Sequence, residues 1–255
     1  MSGEELLRDI FEAQLRILSL RQSIDTLPED WKRYFGYVLI VTWVVGMGRY
    51  WDSPDARLLQ YLGLGSVIYL FAMSTLLWMV LFPIARRPIS YVQVIIFVGM
   101  TALPALLYAI PVESFLPMDI AAKTNVIFLA IVAIWRVILL SNFASKAAGL
   151  RFWGVLTVTM LPLSGIMIIL AMFSLEHVTF DVMSGIRADD AYPRTMAGEI
   201  ASGVTEAAGW THATVGILSF FSWILFPIFA VSWLVQLSYA TDERRNRQRQ
   251  KIELQ

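Results

Sequence analysis

Apolar residues in this chain come in blocks of about 20, the helix length needed to cross a hydrocarbon core of roughly 30 Å. No motif constrains the fold as strongly. The blocks are about Tyr34–Gly48, Leu58–Phe82, Tyr91–Ile110, Ala121–Leu140, Phe152–Ser174 and Ala213–Tyr239. Hydrophobic residues make up 57% of the 255 and charged residues 16%. A soluble domain of this size needs a polar shell that such a composition does not supply. The reading is an all-α, polytopic transmembrane bundle of six spans. The first is short unless it extends through Tyr50 and Trp51. Pro104, Pro162 and Pro227 fall inside the third, fifth and sixth spans, and each is expected to kink its helix by removing a backbone donor. Gly63, Gly65 and Ser66 give the second span a small face, and Gly46 and Gly48 do the same for the first.

Lysine and arginine set the orientation. With the N-terminus cytoplasmic, the inside carries Arg8, Arg16, Arg21, Lys32, Arg33, Arg86, Arg87, Lys146, Arg151 and the arginines from Arg244 onward. The outside keeps Arg49, Arg57, Lys123, Arg187 and Arg194. Both termini are therefore expected inside. The chain divides into a cytoplasmic N-terminal region (1–33), the six-span domain (34–240, with a long outer segment at 175–212) and a basic cytoplasmic tail (241–255).

Ser2-Gly3-Glu4-Glu5 has the form of a capping box. Behind it Leu6, Ile10, Ala13, Ile17, Leu20 and Ile24 alternate steps of four and three, broadened by Leu7, Phe11 and Leu18. That is an amphipathic helix closed by Leu27-Pro28. It is expected to pack on the underside of the bundle or to dock a protein partner or a second copy of the chain. Glu4, Glu5, Asp9, Glu12 and Asp25 outnumber Arg8, Arg16 and Arg21, so electrostatic attraction to anionic lipid fits this segment poorly. No cleavage pattern follows, and no signal peptide is expected. In the outer segment, Met196, Ile200, Val204 and Ala208 recur every fourth residue towards Trp210, which predicts a short helix lying at the outer interface.

Few residues are available for chemistry. No Asp or Glu lies well inside a predicted span, which weighs against proton-coupled transport. The intramembrane polar candidates are Arg136, Asn125 and Gln93. Arg136, near the cytoplasmic end of the fourth span, is expected to snorkel to the interface, meet a phosphate headgroup or bond Gln93. At the outer end of the first span, "GRYWD" places Tyr50 and Trp51 at headgroup level. The same stretch suggests an outer-face polar cluster of Arg49, Asp52 and Glu113, the alternative being independent solvated charges.

Catalytic sites find little support. There is no cysteine, hence no thiol chemistry or disulfide. Ser164-Gly165 with His212 resembles the serine and histidine of rhomboid proteases, but Pro162 stands where that motif opens with glycine. Ser164 also falls mid-membrane and His212 at the outer surface, too far apart for proton transfer. Glu176, His177 and His212 lack the spacing of a zinc site. No phosphate loop follows a strand, and the basic tail reads as a cytoplasmic anchor, so neither a cofactor nor nucleic acid is expected.

The stretch "RRPISYVQVIIFVGMTALPALLYAIPVE", Arg86 to Glu113, resembles the central segment of bacterial Yip1-type membrane proteins. In those, a basic turn and an aromatic-polar pair lead into a span with a mid-helix proline and a second proline at its exit. The following "AIWRVILLSNFASKAAGL" resembles the next span and its turn. The chain lacks the Asp-Leu-Tyr-Gly-Pro signature of the eukaryotic members and adds a sixth span and the long outer segment. The resemblance implies membrane organisation through protein contacts and supplies no catalytic residue. The expectation is a non-enzymatic, multi-pass inner-membrane protein acting through helix and partner contacts. The alternative is a small transporter or channel subunit with a cavity lined by the proline-broken third, fifth and sixth spans.

Overall fold

The structure is a computed structural model and describes residues 3–24, 28–48, 58–112, 115–173 and 200–253. All regular elements among them are helical: α1 (Gly3–Leu18), α2 (Trp31–Gly48), α3 (Leu58–Tyr61), α4 (Leu64–Ile84), α5 (Tyr91–Met100), a 3-10 helix (Leu103–Ala109), α6 (Met118–Lys146), α7 (Phe152–Met172) and α8 (Ile200–Glu253). Among the described residues, five segments are long and apolar enough to cross a membrane: Leu64–Ile84, Tyr91–Ala109, Lys123–Lys146, Phe152–Met172 and Gly216–Gln250. The predicted first span forms the 18-residue helix α2 but is not among the five.

α5 is the central element. Seven of its ten residues are buried, with α2 and α4 packed on it. The core joins Ile10 and Ile17 of α1, Val38 of α2, Leu77 and Leu81 of α4, Val94, Ile96 and Met100 of α5, Phe143 of α6 and Val158 of α7. Phe97 and Phe143 stack with ring centroids 4.1 Å apart. α7 and α8 form the other large interface, held by polar groups. Thr157 and Ser232 share a hydrogen bond of 2.8 Å, and Gln236 donates its amide to both hydroxyls at 3.0 and 3.1 Å. Trp233 donates from α8 to the Val80 carbonyl of α4 at 2.8 Å. Such interhelical hydrogen bonds replace the hydrophobic drive that is missing between helices in lipid.

Small residues set the α2–α4 crossing. A Cβ on Gly46 would lie 2.6 Å from the Ser66 hydroxyl and 2.7 Å from the Gly63 carbonyl. Gly63 has φ +67 and separates α3 from α4, so the second span is a broken helix. Only glycine takes that conformation at no steric cost. Gly65 faces open space and takes no part in the approach.

Pro162 and Pro227 lie inside α7 and α8, whereas Pro104 stands where an α-helix gives way to a 3-10 segment. Two expectations are corrected. The N-terminal helix stops at Leu18 and does not run to the Leu27-Pro28 pair. The Arg21 and Gln22 amides wrap back onto the Arg16 carbonyl, which turns Leu20 to φ +62. Finally, the predicted interfacial helix ending near Trp210 is not a separate element, because α8 is continuous from Ile200 to Glu253. No proline interrupts it before Pro227. Its 54 residues make a rod about 80 Å long, far beyond a hydrocarbon core of about 30 Å. It also takes in most of the basic tail.

Candidate functional site

Two polar side chains from distant helices meet at the break in the third span. Pro104 has no N–H to offer the carbonyl four residues back, which is that of Met100. Past the break, Ala105 donates to Ala102 in 3-10 fashion rather than to Thr101. Two backbone carbonyls therefore lose their helical partners about halfway along the Tyr91–Ala109 span. In a low-dielectric interior each needs another donor.

Both find one in a distant side chain. Gln14 of α1, fully buried, donates its amide to the Met100 carbonyl at 2.9 Å. Its own carbonyl accepts from the Tyr37 hydroxyl at 2.5 Å. Arg136 of α6 donates Nε to the Thr101 carbonyl at 3.2 Å. One broken turn is thus closed by α1, α2 and α6 together.

The same exchange fixes α1 and the chain behind it. A helix leaves its last four carbonyls without partners. Here Ser19 N–H takes Leu15, Arg21 and Gln22 N–H take Arg16, Leu20 N–H takes Ile17, and the Trp135 indole of α6 takes Leu18 at 3.0 Å. Further on, Gln93 of α5 donates to the Ile24 carbonyl at 2.7 Å. α1 is therefore pinned along the flank of α5, with one side chain reaching mid-span, and does not simply lie beneath the bundle.

At about 100° per residue the faces of α1 form three adjoining sectors. Ile10, Gln14 and Ile17 are buried against the bundle. Leu7, Phe11 and Leu15 are exposed, at 57%, 44% and 45%. Next to them runs a charged ladder in which Glu12 pairs with Arg8 at 3.2 Å and with Arg16 at 3.5 Å. Leu15 and Leu18 also wall an apolar groove of about 550 Å³ with Leu103, Leu106, Leu107 and Ile110 beyond the break and Trp135 of α6.

The sequence candidates are distributed as follows. Arg136 and Gln93 reach different carbonyls, so the bond between them is not formed. Arg136 is half-buried and its Nε points to the backbone of the third span. Asn125 is half-buried towards the start of α6. Arg49, Asp52 and Glu113 lie outside the described residues, so the outer-face cluster stands as a proposal from sequence. Glu176 and His177 lie outside them as well. Ser164 is buried and donates its hydroxyl to the Met160 carbonyl at 2.7 Å. Among the described residues, the groove is lined from α1, the 3-10 segment and α6.

Gln14, Tyr37, Thr157, Ser232 and Gln236 were not singled out from sequence. Gln14 did leave a signal: it stands four residues after Ile10 and three before Ile17, inside the apolar stripe. A glutamine at such a position needs a buried partner. No protein-family model, curated protein or solved structure matches this chain.

Proposed function

We propose that the chain is a non-enzymatic, Yip1-like protein integral to the inner membrane, with both termini cytoplasmic, which organises other membrane proteins through helix contacts. What supports this reading most is α1. It is held to the bundle through Gln14 and Trp135, yet it keeps Leu7, Phe11 and Leu15 exposed at i, i+4 and i+8 beside a ladder of alternating charge. An apolar stripe edged by charges is the form in which helices recognise a partner helix, the stripe giving affinity and the charges register. Gln14, Gln93, Arg136, Thr157, Ser232, Trp233 and Gln236 all make hydrogen bonds between elements, in keeping with a role in assembly.

The test uses Leu7→Ser, Phe11→Ser and Leu15→Ser combined in the full-length protein. These side chains lie outside the buried sector, so the bundle should keep its thermal midpoint in mild detergent while a copurifying protein or the self-association is lost. Retention of every partner by the triple variant would remove the reading.

Orientation is testable because the natural chain has no cysteine. In the background of the full chain, Ser145→Cys and Thr241→Cys should be shielded from an impermeant thiol reagent in intact cells. Ser53→Cys and Ala188→Cys should label. Labelling of Ser145→Cys from outside would overturn the inside-to-inside arrangement.

A further inference from the structure

The α4–α5 and α6–α7 turns are docked on each other at one end of the bundle. The amides of Arg86 and Arg87 both donate to the Ala148 carbonyl, at 2.9 and 3.3 Å. The Arg87 guanidinium donates to the Lys146 carbonyl at 2.8 Å and lies against Gly149, whose φ is +67. From α8, Arg244 reaches the Phe82 and Pro83 carbonyls at the end of α4, at 3.3 and 3.1 Å. Three chain segments far apart in sequence thus bring Arg86, Arg87, Lys146, Arg151 and Arg244 to one place.

Among the described residues no ion pair to these five cations is formed. Arg8–Glu12, Arg16–Glu12 and Arg33–Asp30 form ion pairs elsewhere in the chain. Asp242, two residues before Arg244 on α8, closes no ion pair to any of the five among the described residues. Arg87 and Arg244 are held in place by carbonyls, which fixes the direction of their remaining N–H groups. Arg86, Lys146 and Arg151 are exposed. Directly after Arg151 in the chain stand two large aromatic side chains, Phe152 and Trp153, 71% and 68% exposed. Aromatic rings of this kind mark the headgroup level of a bilayer.

We propose that this end of the bundle binds the phosphate headgroup of an anionic phospholipid, with the five cations around the phosphate and Phe152 and Trp153 against the upper acyl chains. Basic pockets between membrane helices are suited to such headgroups, and several cations can engage one phosphate-bearing group together. The site does not depend on what α1 binds.

Full-length protein, stripped of lipid in detergent, is titrated with mixed micelles of phosphatidylglycerol or of phosphatidylcholine, and the thermal midpoint is followed. Phosphatidylglycerol should raise the midpoint and phosphatidylcholine should not. In the triple variant Arg86→Gln/Lys146→Gln/Arg151→Gln the apparent affinity for phosphatidylglycerol should fall on the order of a hundredfold, about fivefold per cation. Its lipid-free midpoint should match the natural protein, because these three side chains make no hydrogen bond or ion pair among the described residues. A charge-keeping variant, Arg86→Lys/Arg151→Lys, should retain the response. Equal stabilisation by the two lipids, or an anionic preference that survives the triple variant, would overturn the proposal. So would full reproduction of the effect by inorganic phosphate alone, which would make the ligand a free anion.

Discussion

Replacing Gly99 by alanine should lower the stability of the folded protein by about 3 kcal/mol, at the upper end of what overpacking costs. The added Cβ would fall on the Cβ of Val38, and the Val38 methyls lie at 2.9 and 3.1 Å from the same point. Val38 is fully buried on α2, with no open space to turn into. The clash involves an atom fixed by the helix backbone, so α2 and α5 must move apart, and the core built on α5 moves with them. Trimming Val38 to alanine leaves the offending Cβ in place and should rescue little. Val38→Gly removes it, and Gly99→Ala should then cost much less in that background. Denaturation of all four proteins in one detergent checks this as a double-mutant cycle. A coupling near zero would show that α2 and α5 do not touch at these residues.

Gln14→Leu should cost a similar amount, about 2–4 kcal/mol, although it keeps the volume nearly unchanged. It leaves the buried Met100 carbonyl and the half-buried Tyr37 hydroxyl without this partner, and a fully buried orphan costs about 1–3 kcal/mol. Tyr37→Phe alone should cost less, and combined with Gln14→Leu it should cost less than the sum. The more discriminating variant is Pro104→Ala in the Gln14→Leu background. An alanine at 104 supplies an N–H that can reach Met100 if the α-helix continues, so part of the lost stability should return. If Gln14 merely fills space, Pro104→Ala will give no rescue. Thermal midpoints of the four proteins separate the two outcomes.

The length and composition of the apolar blocks by themselves determined that most of this chain forms membrane-length helices. One apolar segment is enough to register it, because burial in hydrocarbon is a property of the segment alone. Sequence also marked the residues able to make special backbone: Pro104, which has no donor, and Gly46 and Gly63, which have no side chain.

Which of those residues would be used depended on partners far along the chain. Pro104, Pro162 and Pro227 have the same local chemistry, yet only Pro104 separates an α-helix from a 3-10 segment. There the freed carbonyls are met by Gln14, 86 residues away, and Arg136, 35 residues away. Gly63 and Gly65 are two residues apart, but only Gly63 has α2 against it. The same holds for α1. Its stripe could be read from periodicity, but its division into a buried sector, an exposed apolar sector and a charged ladder could not. The basic residues of the two turns and α8 were legible as inside-facing charge. Their assembly into one cluster rests on the Arg86, Arg87 and Arg244 hydrogen bonds. A buried carbonyl needs a donor but does not specify its position in the chain. Hydropathy and spacing therefore reveal the need, and only tertiary packing selects the group that meets it.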